Sequence, residues 1–240
     1  MVIAHRGASS YAPENTLAAF DLALEMRVRH IELDVALTSD NQVVVIHDDN
    51  LDRTTDGSGL VTSHTLAALR ELDAGSWFGA QFKDERVPAF DEVLARYKGR
   101  VHIHTEIKGK SASLSQRTAD LIRQHGMEAQ GTVTSFQSVR LEEMRAYAPE
   151  LPMGWLVREL NDSIVAQAHT LGVTQLCPRA EAVTRQWVDR LHAEGFVVRA
   201  WAVGTEELMQ HAVEAGVDGM TVNFPDKLIA YLETHAYPWQ

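Results

Sequence analysis

The sequence predicts a (β/α)₈ TIM barrel with a small insertion after the second strand, and three observations point there. Short β-like runs alternate with amphipathic helical stretches from end to end, the pattern of parallel strands joined by crossovers. One strand candidate too many for an eight-stranded barrel is absorbed by a hairpin. The length of 240 residues suits one α/β barrel better than two average domains, so one domain over 1–240 is expected.

The strand candidates in order are 2–4, 31–35, 43–47, 101–107, 131–136, 152–157, 173–178, 196–203 and 219–224. Helical candidates lie near 16–27, 90–97, 114–125, 139–147, 162–171, 185–194, 205–215 and 226–233. In the stretch 185–194, Trp187, Val188 and Leu191 fall at helical spacing and Gly195 stops the helix. Seven residues separate Val35 from Val43, too few for a crossover to a parallel neighbour. Those two runs therefore read as a hairpin, with Asp40 and Asn41 as a two-residue turn. That turn would set Asp34 opposite His47. Eight parallel strands remain, and residues 48–86 fit no βα unit, so they read as the insertion. Trp77 and Phe78 within it are expected to form a local core.

Composition narrows the partners. Hydrophobic residues make up 45% and charged residues 23%, which excludes disordered and low-complexity classes. The net charge of −11 argues against nucleic acid and anionic membranes as partners. The longest apolar run, Leu228 to Leu232, is too short to span a bilayer. The N-terminus lacks a basic stretch followed by an apolar core, so no signal peptide is read and a cytoplasmic location is expected. Cys177 is the single cysteine and reads as a buried thiol. Nothing in the sequence specifies an oligomeric state.

Barrel chemistry sits at the C-terminal ends of strands, and four such ends carry unusual residues. They read His5-Arg6-Gly7, Glu32-Leu33-Asp34, His47-Asp48-Asp49 and His104-Thr105-Glu106-Ile107-Lys108. Alternation puts Glu32 with Asp34 on one face and Glu106 with Lys108 on another. If both faces are interior, three carboxylates converge, and they repel unless a cation sits among them. An oxygen-only set favours Mg²⁺ or Ca²⁺, with Mn²⁺ as a further option, over zinc. Arg6 and Lys108 would leave a positive socket beside that cation, suited to a phosphate group. His5 and His47 supply imidazoles that can give or take a proton near neutrality. His102 and His104 share parity with Glu106 and are expected in deeper barrel layers. His30, His64, His125, His169, His192, His211 and His235 fall on predicted helices or loops and read mostly as surface residues.

The order HRG (5–7), PENT (13–16), ELDV (32–35), HDxxLDRTT (47–55), DAGSWF (73–78) and EIK (106–108) resembles the glycerophosphodiester phosphodiesterases. The resemblance continues through VPAFDEVL (87–94), WAV (201–203) and VNFPD (222–226). It implies a barrel with one divalent cation that hydrolyses small-molecule glycerophosphodiesters, such as glycerophosphocholine or glycerophosphoethanolamine, to glycerol 3-phosphate and an alcohol. Carried over by motif, Glu32, Asp34 and Glu106 match the metal ligands. His5 and His47 match the acid/base pair, and Arg6 and Lys108 match the phosphate contacts. Glu14, Asn15 and Trp201 match further positions near the site, although Asn15 or Thr16 also reads as a helix cap. WAVG (201–204) departs from the family, which commonly has Asn after WTV, and Ala89-Phe90 replaces the usual Thr-Leu. The rival readings are a lysophospholipase D-type reaction on the same residues and, more distantly, a metal-dependent barrel lyase.

Overall fold

In the computed structural model, which describes residues 1–109 and 111–238, eight parallel strands close into a barrel with helices between them. The strands are β1 (Val2–His5), β2 (His30–Leu37), β4 (His102–Ile107), β5 (Gly131–Ser135), β6 (Met153–Val157), β7 (Gln175–Pro178), β8 (Val197–Val203) and β9 (Gly219–Val222). A ninth, β3 (Val43–Val45), pairs antiparallel with β2 outside the closed ring. Closure joins the first strand to the last, β1 pairing with both β2 and β9. The helices are α1 (Leu17–Glu25), α2 (Leu66–Leu69), α3 (Phe90–Tyr97), α4 (Ala112–His125), α5 (Ser138–Tyr147), α6 (Asp162–Leu171), α7 (Arg185–Ala193), α8 (Glu206–Ala215) and α9 (Pro225–Thr234). Each predicted strand and helix is present, with differences of one or two residues at the ends. No helix among the described residues is long and apolar enough to cross a membrane.

Outward-facing residues of the strands, such as Ile31, Leu33, Ile103 and Val198, are buried against the helices. Thr16, Asn161, Thr184 and Thr205 cap their helices with a side-chain oxygen, so four of the crossovers start at residues the backbone amides select. The insertion has a small core of its own. Val44 and Ile46 from the hairpin pack there with Leu51, Val61, Leu69 and Ala74. Trp77 is not part of it. At 41% exposure it stacks edge-on against Phe78, which stacks edge-on in turn against Phe82.

The hairpin differs from expectation by one residue. Val35 pairs with Val45 and Leu37 with Val43, so partners sum to 80 rather than 81 and Asp34 lies opposite Ile46. The connection is a three-residue loop in which Asn41 takes the left-handed conformation (φ 57°) that asparagine tolerates. His47 lies beyond the last ladder residue, where the chain bends, and that bend swings its side chain over the barrel mouth.

Below the mouth, the interior carries three histidines. The register sets His30 beside His102 and Glu32 beside His104. His30 Nδ1 lies 3.3 Å from His104 Nε2, and His102 Nε2 is 2.8 Å from Thr132 Oγ1. His30 is thus an interior residue; it opens β2 with the parity of Glu32 rather than ending a loop. Burial lowers its pKa to about 4, with the charge of His102 and the N-terminal ammonium adding to the effect. Burial lowers His102 and His104 as well, and His104 also faces Arg199. The unfolded chain takes protons on these rings near pH 6.5 and the folded chain does not, so stability falls as pH drops from about 6.5 towards 4. Replacing His30 by Gln should reduce the fall in urea-measured unfolding free energy between pH 7 and 4.5 by at least ~1 kcal/mol. An unchanged slope would exclude His30 as a contributor.

Candidate functional site

The C-terminal mouth of the barrel holds a cleft of about 450 Å³, lined by His5, Arg6, Glu32, His47, Glu106 and Lys108 on one side. Register explains the convergence. His5 pairs with Glu32, and Asp34 pairs with Glu106, so these side chains share interior rows of the pleat on β1, β2 and β4. One carboxylate oxygen from each of Glu32, Asp34 and Glu106 lies within 4.8 Å of the other two.

The electrostatics follow from that crowding. Burial, then the neighbouring carboxylates of Asp34 and Glu106, pushes Glu32 well above the ordinary range. Burial and Asp34 push Glu106 up to about 7. Burial works in the same direction on Asp34, but Arg6 and Lys108 outweigh it and the net shift is downward. Asp34 is fully buried, with one oxygen accepting from Asn15 Nδ2 at 3.0 Å and the other, Oδ1, without a hydrogen-bond partner. Three crowded oxygen donors, two of them resisting ionisation and one oxygen orphaned, fit a hard divalent cation.

Arg6 sits in the left-handed region (φ 57°) between β1 and Gly7. Gly7 is also left-handed (φ 84°), and a Cβ there would meet backbone atoms of Ala19 at 2.6 Å, so the turn that presents Arg6 requires glycine. The guanidinium donates to Glu14 Oε1 at 2.8 Å, and its Nε lies 3.2 Å from Asp34 Oδ2. Lys108 Nζ lies 3.7 Å from both Asp34 Oδ1 and Glu106 Oε1. It also donates to His47 Nε2 at 2.6 Å. Asp48 accepts from His47 Nδ1 at 2.6 Å. An ammonium only donates and a carboxylate only accepts, so in these contacts Nε2 accepts and Nδ1 donates. His5 donates from Nδ1 to Asn223 Oδ1 at 2.6 Å, and its Nε2 is 3.9 Å from Glu32 Oε2. Burial, and next Arg6, lowers His5 to about 4.

Glu14 and Asn15 lie where the motif order placed them. Asn15, left-handed at φ 58°, carries Asp34, while Thr16 is the cap of α1. Trp201 lines the cleft, donates from Nε1 to Val157 O and stands edge-on to Phe136.

Several neighbours escaped sequence reasoning. Arg53 from the insertion donates to Glu14 (2.7 and 2.9 Å) and to Asp48 (2.7 and 3.1 Å), tying Arg6's partner to His47's partner. Its motif was visible, but its reach was not. Arg199, 1% exposed, points into the cleft floor with Nη1 unpartnered, and parity with Trp201 on β8 is the signal that could have found it. Asn223 follows β9 by one residue, and only barrel closure brings it to His5.

Comparison with known proteins agrees with this arrangement. The model of the glycerophosphoryl diester phosphodiesterase family matches residues 5–227. The Bacillus subtilis protein YhdW is 37% identical across 95% of this chain and 96% of its own length. A glycerophosphodiester phosphodiesterase of Caldanaerobacter subterraneus is 34% identical over 95% of this chain and 96% of the relative. An Oleispira antarctica phosphodiesterase, solved in complex with the product sn-glycerol-3-phosphate, superposes with a TM-score of 0.92 at 31% identity, covering 97% and 96% of the two chains. With its acidic trio, its two histidines and its arginine all inside the matched span, the chain belongs to the glycerophosphoryl diester phosphodiesterase family.

Proposed function

We propose that this phosphoric diester hydrolase cleaves glycerophosphodiesters to glycerol 3-phosphate and an alcohol, using one divalent cation and the His5/His47 pair. The observation that carries the reading is the convergence of Glu32, Asp34 and Glu106 in one cleft with two imidazoles and two cations. The glycerol 3-phosphate held by the Oleispira structure supports the substrate class.

Glu32, Asp34 and Glu106 would hold the cation, Mg²⁺ or Ca²⁺ or Mn²⁺, which supplies Lewis-acid polarisation of a phosphoryl oxygen. Arg6 and Lys108 present fixed positive charge to the remaining oxygens, where negative charge grows in the transition state. Of the two histidines one, entering as neutral imidazole, removes a proton from the nucleophile, and the other, entering as imidazolium, delivers its proton to the leaving alkoxide, a poor leaving group unless protonated. Asp48 behind His47 stabilises the imidazolium that forms there, as a carboxylate does behind a catalytic histidine. Trp201 and Phe136 wall the cleft and limit water.

Arg53 acts at one remove, through Asp48 and Glu14. Arg53→Ala should lose about 10-fold or more in kcat with little change in KM, and Arg53→Lys should recover part of it. A KM effect alone would place Arg53 with substrate binding instead.

The reading is tested by assaying a panel of glycerophosphodiesters with and without chelator and identifying both products. Glycerol 3-phosphate plus the free alcohol is expected, lost with chelator and restored by Mg²⁺, Ca²⁺ or Mn²⁺. No turnover of any member, or full activity after metal stripping, would overturn it.

A further inference from the structure

The wall of the cleft facing His5 and Arg6 is built differently from the acidic side. In the closed ring β6 lies four strands from β1 in either direction, so Arg158, which follows β6, stands across the mouth from Arg6. Arg158 is exposed and lines the cleft. Its guanidinium lies 5.2 Å from the ring centre of Phe136 and 6.0 Å from that of Trp201, which holds it over the opening. Arg179 covers Trp201 from a further side at 5.9 Å, but is itself paired with Glu181 at 2.9 Å. Arg158 has no such carboxylate among the described residues. Gly204, which also lines the cleft after β8, has open space where a Cβ would stand, with nothing within 4 Å.

The charges around the cleft are also unequal. Arg6, Lys108, Arg158 and Arg199 line it with only Glu32 and Glu106 against them. Arg6 and Lys108 are engaged by Glu14, Asp34 and Glu106, and Arg199 lies on the floor. Arg158 is the cation left for something that enters from solvent. A quaternary ammonium needs an open aromatic face, and arginines already cover both rings here.

We propose that Arg158 receives the alcohol end of the diester and selects alcohols that carry an anionic group, a carboxylate or a second phosphate, over cationic ones. The inference rests on the phosphodiesterase reading of the same cleft. The glycerol end bears only hydroxyls and gives a guanidinium nothing to neutralise, whereas an anionic alcohol gives it a charge-assisted partner.

The test compares four substrates: glycerophosphoserine (carboxylate), glycerophosphoinositol 4-phosphate (second phosphate), glycerophosphoglycerol (uncharged) and glycerophosphocholine (cation). The wild-type enzyme should show kcat/KM at least about tenfold higher on one or both anionic alcohols than on the choline diester. Which of the two leads separates carboxylate from phosphate recognition. Arg158→Ala should bring the ratio to within about threefold, chiefly through KM, and Arg158→Glu should invert it. Product inhibition by sn-glycerol 3-phosphate should be the same in wild type and both variants. Equal losses on all four substrates, a wild-type preference for choline, or weakened product inhibition would overturn the proposal while leaving the phosphodiesterase reading intact. Hydrolysis of none of the four would overturn both.

Discussion

His47→Ala and His5→Ala should each lose at least about 10²-fold in kcat while still binding a divalent cation, because each removes one of the two proton transfers. The two losses should differ with the leaving group. A diester that releases p-nitrophenolate needs little protonation, so the variant lacking the general acid regains much of its rate on it and the variant lacking the base does not. Asp48→Asn should resemble a partial His47 lesion, since an amide cannot stabilise the imidazolium as a carboxylate does. Near-normal turnover by either alanine variant would remove that histidine from the mechanism. Equal losses on both substrates would refute a division of labour between them.

The second large effect is expected at Asp34. It is fully buried between Arg6 and Lys108 and shares the mouth with two carboxylates that resist ionisation. Asp34→Ala should abolish calorimetrically measured binding of Mg²⁺, Ca²⁺ or Mn²⁺ and cost about 10³-fold or more in kcat, since charge stabilisation of several kcal/mol is lost. It should also destabilise the fold by ~1–3 kcal/mol, because the partly buried Arg6 and Lys108 each lose one of their counter-charges. Asp34→Asn keeps the contact with Asn15 and should be milder in unfolding but still inactive. Undiminished metal affinity in either variant would exclude Asp34 as a ligand.

Much of this was legible in the sequence, for stated physical reasons. Strand and helix order is written in hydrophobic periodicity, and short connections leave few topologies, so the barrel follows. Glu32, Asp34 and Glu106 were legible because parity within a strand survives errors at its ends. The hairpin register was not. A two-residue and a three-residue turn differ only in whether Asn41 adopts a left-handed conformation, and either keeps a plausible alternation on both sides. His47 reaches the site because the chain bends after Ile46, an event without a sequence signature. His30 was misplaced since a residue at the first position of a strand looks like loop. The partnerships Arg53–Asp48 and His5–Asn223 are tertiary, and no periodicity encodes them.

The pairing of β1 with β9 ties the two ends of the chain together at the site. The hairpin, the acidic trio and His47 are encoded within residues 32–106, whereas His5 is held by Asn223, 218 residues away. Without β9, β1 would keep only β2 as a neighbour, and His5 would lose the hydrogen bond to Asn223 Oδ1. A variant truncated before β9 should lose the support that sets His5, although Glu32, Asp34 and Glu106 all precede the cut. The acidic trio and the setting of His5 are thus encoded far apart in the chain and meet only in the closed barrel.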